Sequence, residues 1–224
     1  MMDTLLFGML VVHVGFGIVA LASGAGAILT RKGGRRHLTS GRLYVVAMAV
    51  VVATAVPLAV AVANWFLLAI TVFSGYLVFT GYRVLSRKRP EPGVASRIDW
   101  LGHGTMVFVG VGMIGVGAWD LVASVSGQGP ILLVFGVIGT GLAAREIRSI
   151  RNPPADRMAW FYRHIGFMGG GYIATVTASI TVNLTMVPPL VRWLGPTAVG
   201  VPLILYAVRA YEKRFDGTGQ TAGA

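Results

Sequence analysis

Four histidines are the side chains of this chain best suited to bind a metal or to carry a proton. His13, His103 and His164 lie within long apolar stretches, and His37 lies in a short polar segment between two such stretches. An ionisable side chain inside an apolar helix is costly, so each histidine is a candidate for a functional site. The chain has no cysteine, which excludes disulfides and thiolate metal sites.

Asp99 precedes His103 by four residues in "DWLGH", so the two side chains fall on one face of a helix. A carboxylate beside an imidazole fixes its tautomer and raises its basicity, which suits a metal ligand and also a proton relay. Asp99 could instead cap its helix or pair with Arg97, and His103 would then hydrogen-bond across helices. Both interpretations remain open from the sequence.

Long apolar segments must position these side chains. The chain is 55% hydrophobic and 12% charged, with a mean hydropathy of +0.73. Soluble domains carry about 25% charged residues, and a helix needs about 20 apolar residues to cross a bilayer. We therefore predict an all-α bundle of seven transmembrane helices in one domain, residues 1–216, followed by a C-terminal tail, 217–224. The predicted spans are 4–29, 42–62, 65–86, 98–119, 129–147, 158–183 and 190–210.

The positive charges predict the orientation of the bundle. The formal net charge is +11, and every lysine and arginine except Arg192 lies in alternate connections or at the C-terminal end. Positive residues are retained on the cytoplasmic side of a cell membrane. The N-terminus is therefore predicted outside and the C-terminus in the cytoplasm, with the lipid bilayer as the main partner. This distribution argues against nucleic acid as a partner.

The helix faces predict that the histidines point into the bundle. Residues three or four apart share a helix face, and small or polar residues mark contacts between membrane helices. The faces that include a histidine are His13 with Gly17, Ala20 and Gly24; His103 with Met106, Gly110 and Gly117; and His164 with Met168, Gly171 and Thr175.

Depth predicts which of these residues come together. His103 and His164 each lie roughly 9 Å inside the cytoplasmic end of their helices, at 1.5 Å per residue. His37 is on the adjacent loop, whereas His13 is about 24 Å deep. We expect a cluster of His103, His164, Asp99 and His37, with His13 apart.

Such a cluster favours a haem- or metal-binding redox protein. Two histidines at one depth on different helices can hold haem b edge-on, with His103 and His164 as axial ligands. Met106 and Met168 beside these histidines suit copper. Zinc would need a third ligand, from His37 or Asp99. Electrons would come from quinone or a redox partner, and whether the protein is an enzyme stays open.

Two other classes of function remain. A small-molecule or proton-coupled transporter would explain the polar stripe Thr175, Ser179 and Asn183, and Pro57 and Pro202 could break helices near mid-membrane. In a membrane scaffold or assembly factor, the histidines would only join helices.

The polar junctions resemble a family of uncharacterised bacterial multi-pass membrane proteins. The shared pattern is a histidine in the first span (His13), an H-x-x-x-G-R-x-Y segment ("HLTSGRLY", residues 37–44) and a later R-H segment ("WFYRHIGFMGGGY", residues 160–172). The resemblance implies a bacterial inner-membrane location. It also implies that His13, His37 and His164 act as a set, so the candidate cofactor-binding residues are His103, His164, His13 and His37.

Overall fold

The computed structural model describes residues 4–220, which form seven long α-helices and no strand. Each helix is long and apolar enough to cross a membrane, so the predicted number of spans is confirmed. A short 3-10 turn, Val84–Ser86, extends the third helix. The helices are α1 (Thr4–Leu29), α2 (Arg35–Ala61), α3 (Trp65–Arg83), α4 (Arg97–Ala123), α5 (Gly129–Arg151), α6 (Ala159–Asn183) and α7 (Pro189–Gln220).

Several helices extend beyond their apolar segments. α2 begins at Arg35, so His37, which we predicted on a loop, lies in the first turn of a helix. Arginine is a good helix former, so α2 can begin before its apolar segment does. Hydropathy shows where a helix crosses the membrane but not where the helix begins. α7 includes residues 217–220 of the predicted tail, and residues 221–224 lie outside the described part of the chain. α2 and α7 also continue through Pro57 and Pro202.

α3 and α6 form the centre of the bundle. α3 packs against α2, α4 and α6, while α6 also packs against α7 and α1. The pairs α1–α2 and α4–α5 pack as hairpins on either side of this centre. Both α4 and α6 pack against α3, and within residues 4–220 the backbones of α4 and α6 do not approach each other closely.

The hairpin of α4 and α5 is closely packed through glycines. A Cβ atom placed on Gly136 would lie 2.8 Å from the carbonyl oxygen of Gly110, and one placed on Gly129 would lie 2.7 Å from that of Gly117. Gly110 and Gly117 share the helix face of His103, which we predicted to point into the bundle, and both are buried. This confirms the predicted inner face of α4.

Three connections and the end of α7 meet at one end of the bundle, which we call the basic end. It comprises residues 30–34, 87–96 and 152–158 and the C-terminal part of α7. Gly93 N–H donates to the carbonyl of Ile150 at 2.8 Å, and the rings of Phe161 and Tyr211 are 5.1 Å apart. The basic segments identified in the sequence are thus close together in space.

Candidate functional site

His103 is buried between α4 and α3. His103 is only 2% exposed, and its Nδ1 forms a hydrogen bond with the Tyr76 hydroxyl at 3.2 Å. The two rings meet edge to face, with centroids 5.8 Å apart. His103 thus forms a hydrogen bond between two helices, the arrangement that the sequence analysis gave as the alternative to a metal ligand or proton relay.

Asp99 is bound to Arg83 and Ser96. Arg83 donates to both carboxylate oxygens at 2.8 and 3.0 Å, and Ser96 completes a capping box at the start of α4. The predicted role of Asp99 in orienting His103 is therefore corrected to a capping role. Its ion-pair partner is Arg83 instead of Arg97, because α3 ends beside the first turn of α4.

His164 and His103 contact different parts of α3. His164 Nδ1 donates to the carbonyl of Gly81 at 2.8 Å, whereas His103 reaches Tyr76. Both imidazoles therefore use Nδ1 in a hydrogen bond to α3. A haem with His103 and His164 as axial ligands stays a prediction.

His37 and His164 are close together at the basic end. Their ring centroids are 6.4 Å apart and the rings are nearly perpendicular. His37 Nδ1 donates to the carbonyl of Ala27 at 2.9 Å, at the C-terminal end of α1. An imidazole that is neutral and has its N–H on Nδ1 carries its lone pair on Nε2.

His13 lies apart from this pair. Its Nδ1 forms hydrogen bonds with the Val51 carbonyl and the Thr54 hydroxyl, both at 3.1 Å. Val51 is 14 residues beyond His37 in α2, or about 21 Å along the helix. The depth estimate that separated His13 from the other histidines is confirmed. Of the set that the family resemblance implies, only His37 and His164 come together.

The predicted metal ligands do not form a cluster of three. Among the residues that the structure describes, no group of three or more histidine, aspartate or glutamate side chains could hold a metal ion. Asp99 and His103 lie on α4, whereas His164 lies on α6 and His37 on α2. The helix-face pattern identified the inward direction of each side chain but not the helix that it meets.

A buried ion pair that the sequence analysis missed joins α5 to α6. Arg163 donates through Nε to Glu146 Oε1 at 3.0 Å, and its Nη2 donates to Oε2. The two side chains are only 7% and 1% exposed. A signal was present, because Glu146 is an acidic residue within an apolar helix.

This ion pair lies in the wall of a long cleft between α5 and α7, whose floor is formed by α3 and α6. The cleft has a volume of about 730 Å³, within the range of about 300–1,000 Å³ typical of small-molecule sites. Between Trp193 and Glu212 of α7, it extends about 28 Å along the bundle axis. α5 and α7 make few contacts, and α7 has no buried residue among those described.

The cleft is apolar along most of its length and polar at the basic end. Its middle is lined mainly by Phe73, Leu77, Phe135, Phe167 and Ile204. Its basic end contains three arginines and three acidic residues: Arg145, Arg148, Arg163, Glu146, Asp156 and Glu212. The arrangement therefore fits a molecule that has an apolar chain and a polar head.

A smaller cavity of about 140 Å³ adjoins the cleft at the basic end. We call it the basic pocket, because five cationic side chains line it with one acidic one. Pro154, Asp156, Ala159 and Arg163 line both cavities, so the two are contiguous. The basic residues of the pocket are Arg87, Lys88, Arg89, Arg157 and Arg163.

Comparison with protein-family models, with curated proteins and with solved structures gives no match to this chain. The resemblance of the polar junctions to a bacterial membrane protein family therefore stays a prediction.

Proposed function

We propose that this protein binds an amphipathic small molecule taken from the bilayer, within the cleft between α5 and α7. The observation that supports this proposal is the cleft itself, which is apolar through the bundle and ends at the buried Glu146–Arg163 ion pair. A protein of this kind belongs to the class of small-molecule carriers and transporters.

The physical properties of the cleft define its ligand. An apolar chain in the cleft would pack against Phe73, Phe135 and Phe167 in place of lipid or water. Its burial is favourable by about 25 cal/mol for each Å² of apolar surface removed from water. The polar head would lie among the charges at the basic end. Quinones and phospholipids both have this division, so the quinone partner predicted from the sequence is one candidate ligand.

We further propose that the basic end faces the cytoplasm of a bacterial cell and that the N-terminus is outside. The support is the charge distribution, because all lysines and arginines except Arg192 belong to the connections and helix ends on that side. In this orientation, the head of the ligand would lie at the cytoplasmic surface of the inner membrane.

The proposal is tested by filling the cleft. A Cβ atom on Gly170, which lines the cleft, would meet only the Leu77 side chain, at 3.6 Å, so the backbone accepts a side chain there. We expect Gly170→Trp to lower the binding of a decyl quinone or a dioleoyl lipid by about tenfold or more, because the indole occupies the space of the chain. Native mass spectrometry of the full-length protein in detergent measures this binding.

Gly104→Trp is the matched control, because Gly104 is exposed on α4, outside the cleft, and has nothing within 4 Å of its Cβ position. We expect this variant to bind as the unmodified chain does. If neither lipid nor quinone binds the unmodified protein, the carrier proposal is wrong and a scaffold or assembly factor becomes the better interpretation.

A second candidate function is metal binding by His37 and His164, which preserves part of the redox hypothesis. The specific observation is that both Nδ1 atoms are held by backbone carbonyls, the arrangement that orients metal-binding imidazoles. It ranks second, because the positive charges of Lys32 and Lys88 act on His164 and disfavour a cation there. No third protein ligand is present among the described residues.

Metal analysis tests this second candidate. If the pair binds zinc or copper, the protein purified after incubation with that metal should retain about one ion per chain. His37→Ala and His164→Ala should each lower the metal content by at least about tenfold. His13→Ala is the control and should retain the ion, since His13 is remote from the pair. Equal metal content in all four proteins would contradict the proposed site.

A further inference from the structure

We propose that the amphipathic ligand carries a phosphate head group, and that this phosphate is bound in the basic pocket beside the cleft. This inference rests on the proposed function and deepens it, because it assigns the chemical class of the ligand. The proposed ligand is a phospholipid with its chain in the cleft and its phosphate among Arg87, Arg157 and Arg163.

The geometry allows one molecule to occupy both cavities. Asp156, Ala159 and Arg163 line both the cleft and the basic pocket, so the two cavities lie side by side. The proposed ligand has its head group in the pocket and its chain in the adjoining cleft. The pocket volume of about 140 Å³ is well above the ~10–15 Å³ of cavity that one water molecule requires. A tetrahedral oxyanion fits this volume.

The charges favour an anion in the pocket. Five cations line it and Asp156 is the single acidic residue that does so among the residues described. The end of the cleft differs, because its three arginines are balanced by three acidic residues. A phosphate carries more charge and more acceptor oxygens than a carboxylate, so it matches the excess of positive charge better.

Arg87 supplies an independent observation. Its Nη2 atom is buried and has no hydrogen-bond partner among the residues that the structure describes. A buried donor without a partner costs free energy, and such groups call for an explanation. Burial also lowers the pKa of Arg87 from its ordinary value, so its positive charge is poorly solvated. A phosphate oxygen at this position would satisfy both the donor and the charge.

Two neighbouring residues hold the pocket in place. Lys88 lies over the ring of Trp160, with its Nζ 4.4 Å from the ring centroid. Arg163 is fixed by the two hydrogen bonds to Glu146. Guanidinium groups present several donors in a planar fork that matches phosphate. The pocket therefore presents ordered cationic groups at the basic end of the bundle.

The test compares two lipids with the same chains in native mass spectrometry of the full-length protein. The probes are dioleoyl phosphatidate and dioleoylglycerol, which lacks the phosphate, with inorganic phosphate and a decyl quinone as further arms. We expect phosphatidate to bind about tenfold more tightly than dioleoylglycerol, and Arg87→Gln to remove most of that difference. Arg157→Gln, on the same pocket, should act in the same direction.

Two controls separate the pocket from general attraction to anionic lipid. Arg36→Gln removes an exposed cation in the first turn of α2, away from the pocket, and should leave the preference for phosphatidate unchanged. Gly170→Trp should lower phosphatidate binding by about tenfold or more. Phosphatidate that binds Gly170→Trp as tightly as the unmodified protein lies on the outer surface, which would contradict the inference.

The other outcomes distinguish this inference from the proposed function. If phosphatidate and dioleoylglycerol bind equally and Arg87→Gln changes neither, the phosphate inference is wrong and the proposed function stands. Tighter binding of the decyl quinone than of phosphatidate has the same meaning. Binding of no amphiphile overturns both. If inorganic phosphate alone binds as tightly as phosphatidate and with the same dependence on Arg87, the pocket serves a free anion and the lipid assignment is wrong.

Discussion

Glu146→Gln should destabilise the protein by about 3–5 kcal/mol, the cost of removing one partner from a buried ion pair. The substitution keeps the shape of the side chain but leaves the guanidinium of Arg163 buried without its counter-charge. Arginine cannot lose its proton in a protein, so the site cannot relax by neutralising the charge. Unfolding in detergent, followed by the loss of helical signal with added denaturant, measures the change.

Arg163→Met should cost less, because the remaining Glu146 carboxylate can take up a proton and become neutral. The double variant Glu146→Leu with Arg163→Met should recover much of the lost stability, since replacing both charges by apolar groups of similar volume is often neutral or better. Strictly additive effects of Glu146→Leu and Arg163→Met, each measured singly and then together, would show that the two charges are not coupled.

Glu91→Gln is the matched control, because Glu91 is an exposed carboxylate in the connection before α4. The same chemical change at such a surface position should alter stability by no more than about 0.5 kcal/mol. A comparable loss from Glu91→Gln would mean that the effect at residue 146 is not specific to the buried pair.

The sequence was sufficient to predict the seven spans, because crossing a bilayer depends on the local length and composition of a segment. It was also sufficient to predict inward faces. His103, Met106 and Gly110 follow the spacing of one helix face, and all three are buried. The direction of a side chain on its own helix is a local property, which is why these predictions succeeded.

The partners of those side chains are not local properties. His103 bonds to Tyr76 and His164 bonds to Gly81, both on α3. Neither the predicted depth nor the face of a histidine indicates which helix it meets. The pairing of Glu146 with Arg163 likewise joins two different helices. In the sequence, Arg163 is one of the positive charges that predict the orientation and is the arginine of the R-H segment. No spacing pattern links it to Glu146.

The cleft was beyond prediction for a related reason. Its volume depends on where α7 lies against α6 and how far it stands from α5, and this distance reflects packing along whole helices. The lining residues, such as Phe73 and Phe135, have no property that distinguishes them from other core aromatics. The extension of α2 back to Arg35 was missed because hydropathy marks the part of a helix inside the bilayer.

Gly136→Ala should destabilise the protein by about 1–3 kcal/mol, the usual cost of overpacking a close contact. A Cβ atom at residue 136 would lie 2.8 Å from the carbonyl oxygen of Gly110 and 2.9 Å from the Ile114 side chain. The Gly110 oxygen belongs to the backbone of α4 and cannot rotate away, so α4 and α5 would have to separate. Detergent-phase unfolding of the full chain measures the loss.

Gly141→Ala in the same helix should have the opposite sign. Gly141 is exposed and has nothing within 4 Å of its Cβ position, so alanine brings only its better helix propensity, worth up to about 1 kcal/mol. The two variants make the same chemical change in α5 and differ only in whether α4 is in contact with the new methyl group. If both variants lose stability equally, the glycines do not hold α4 and α5 together, and the close approach of the two backbones does not contribute to stability.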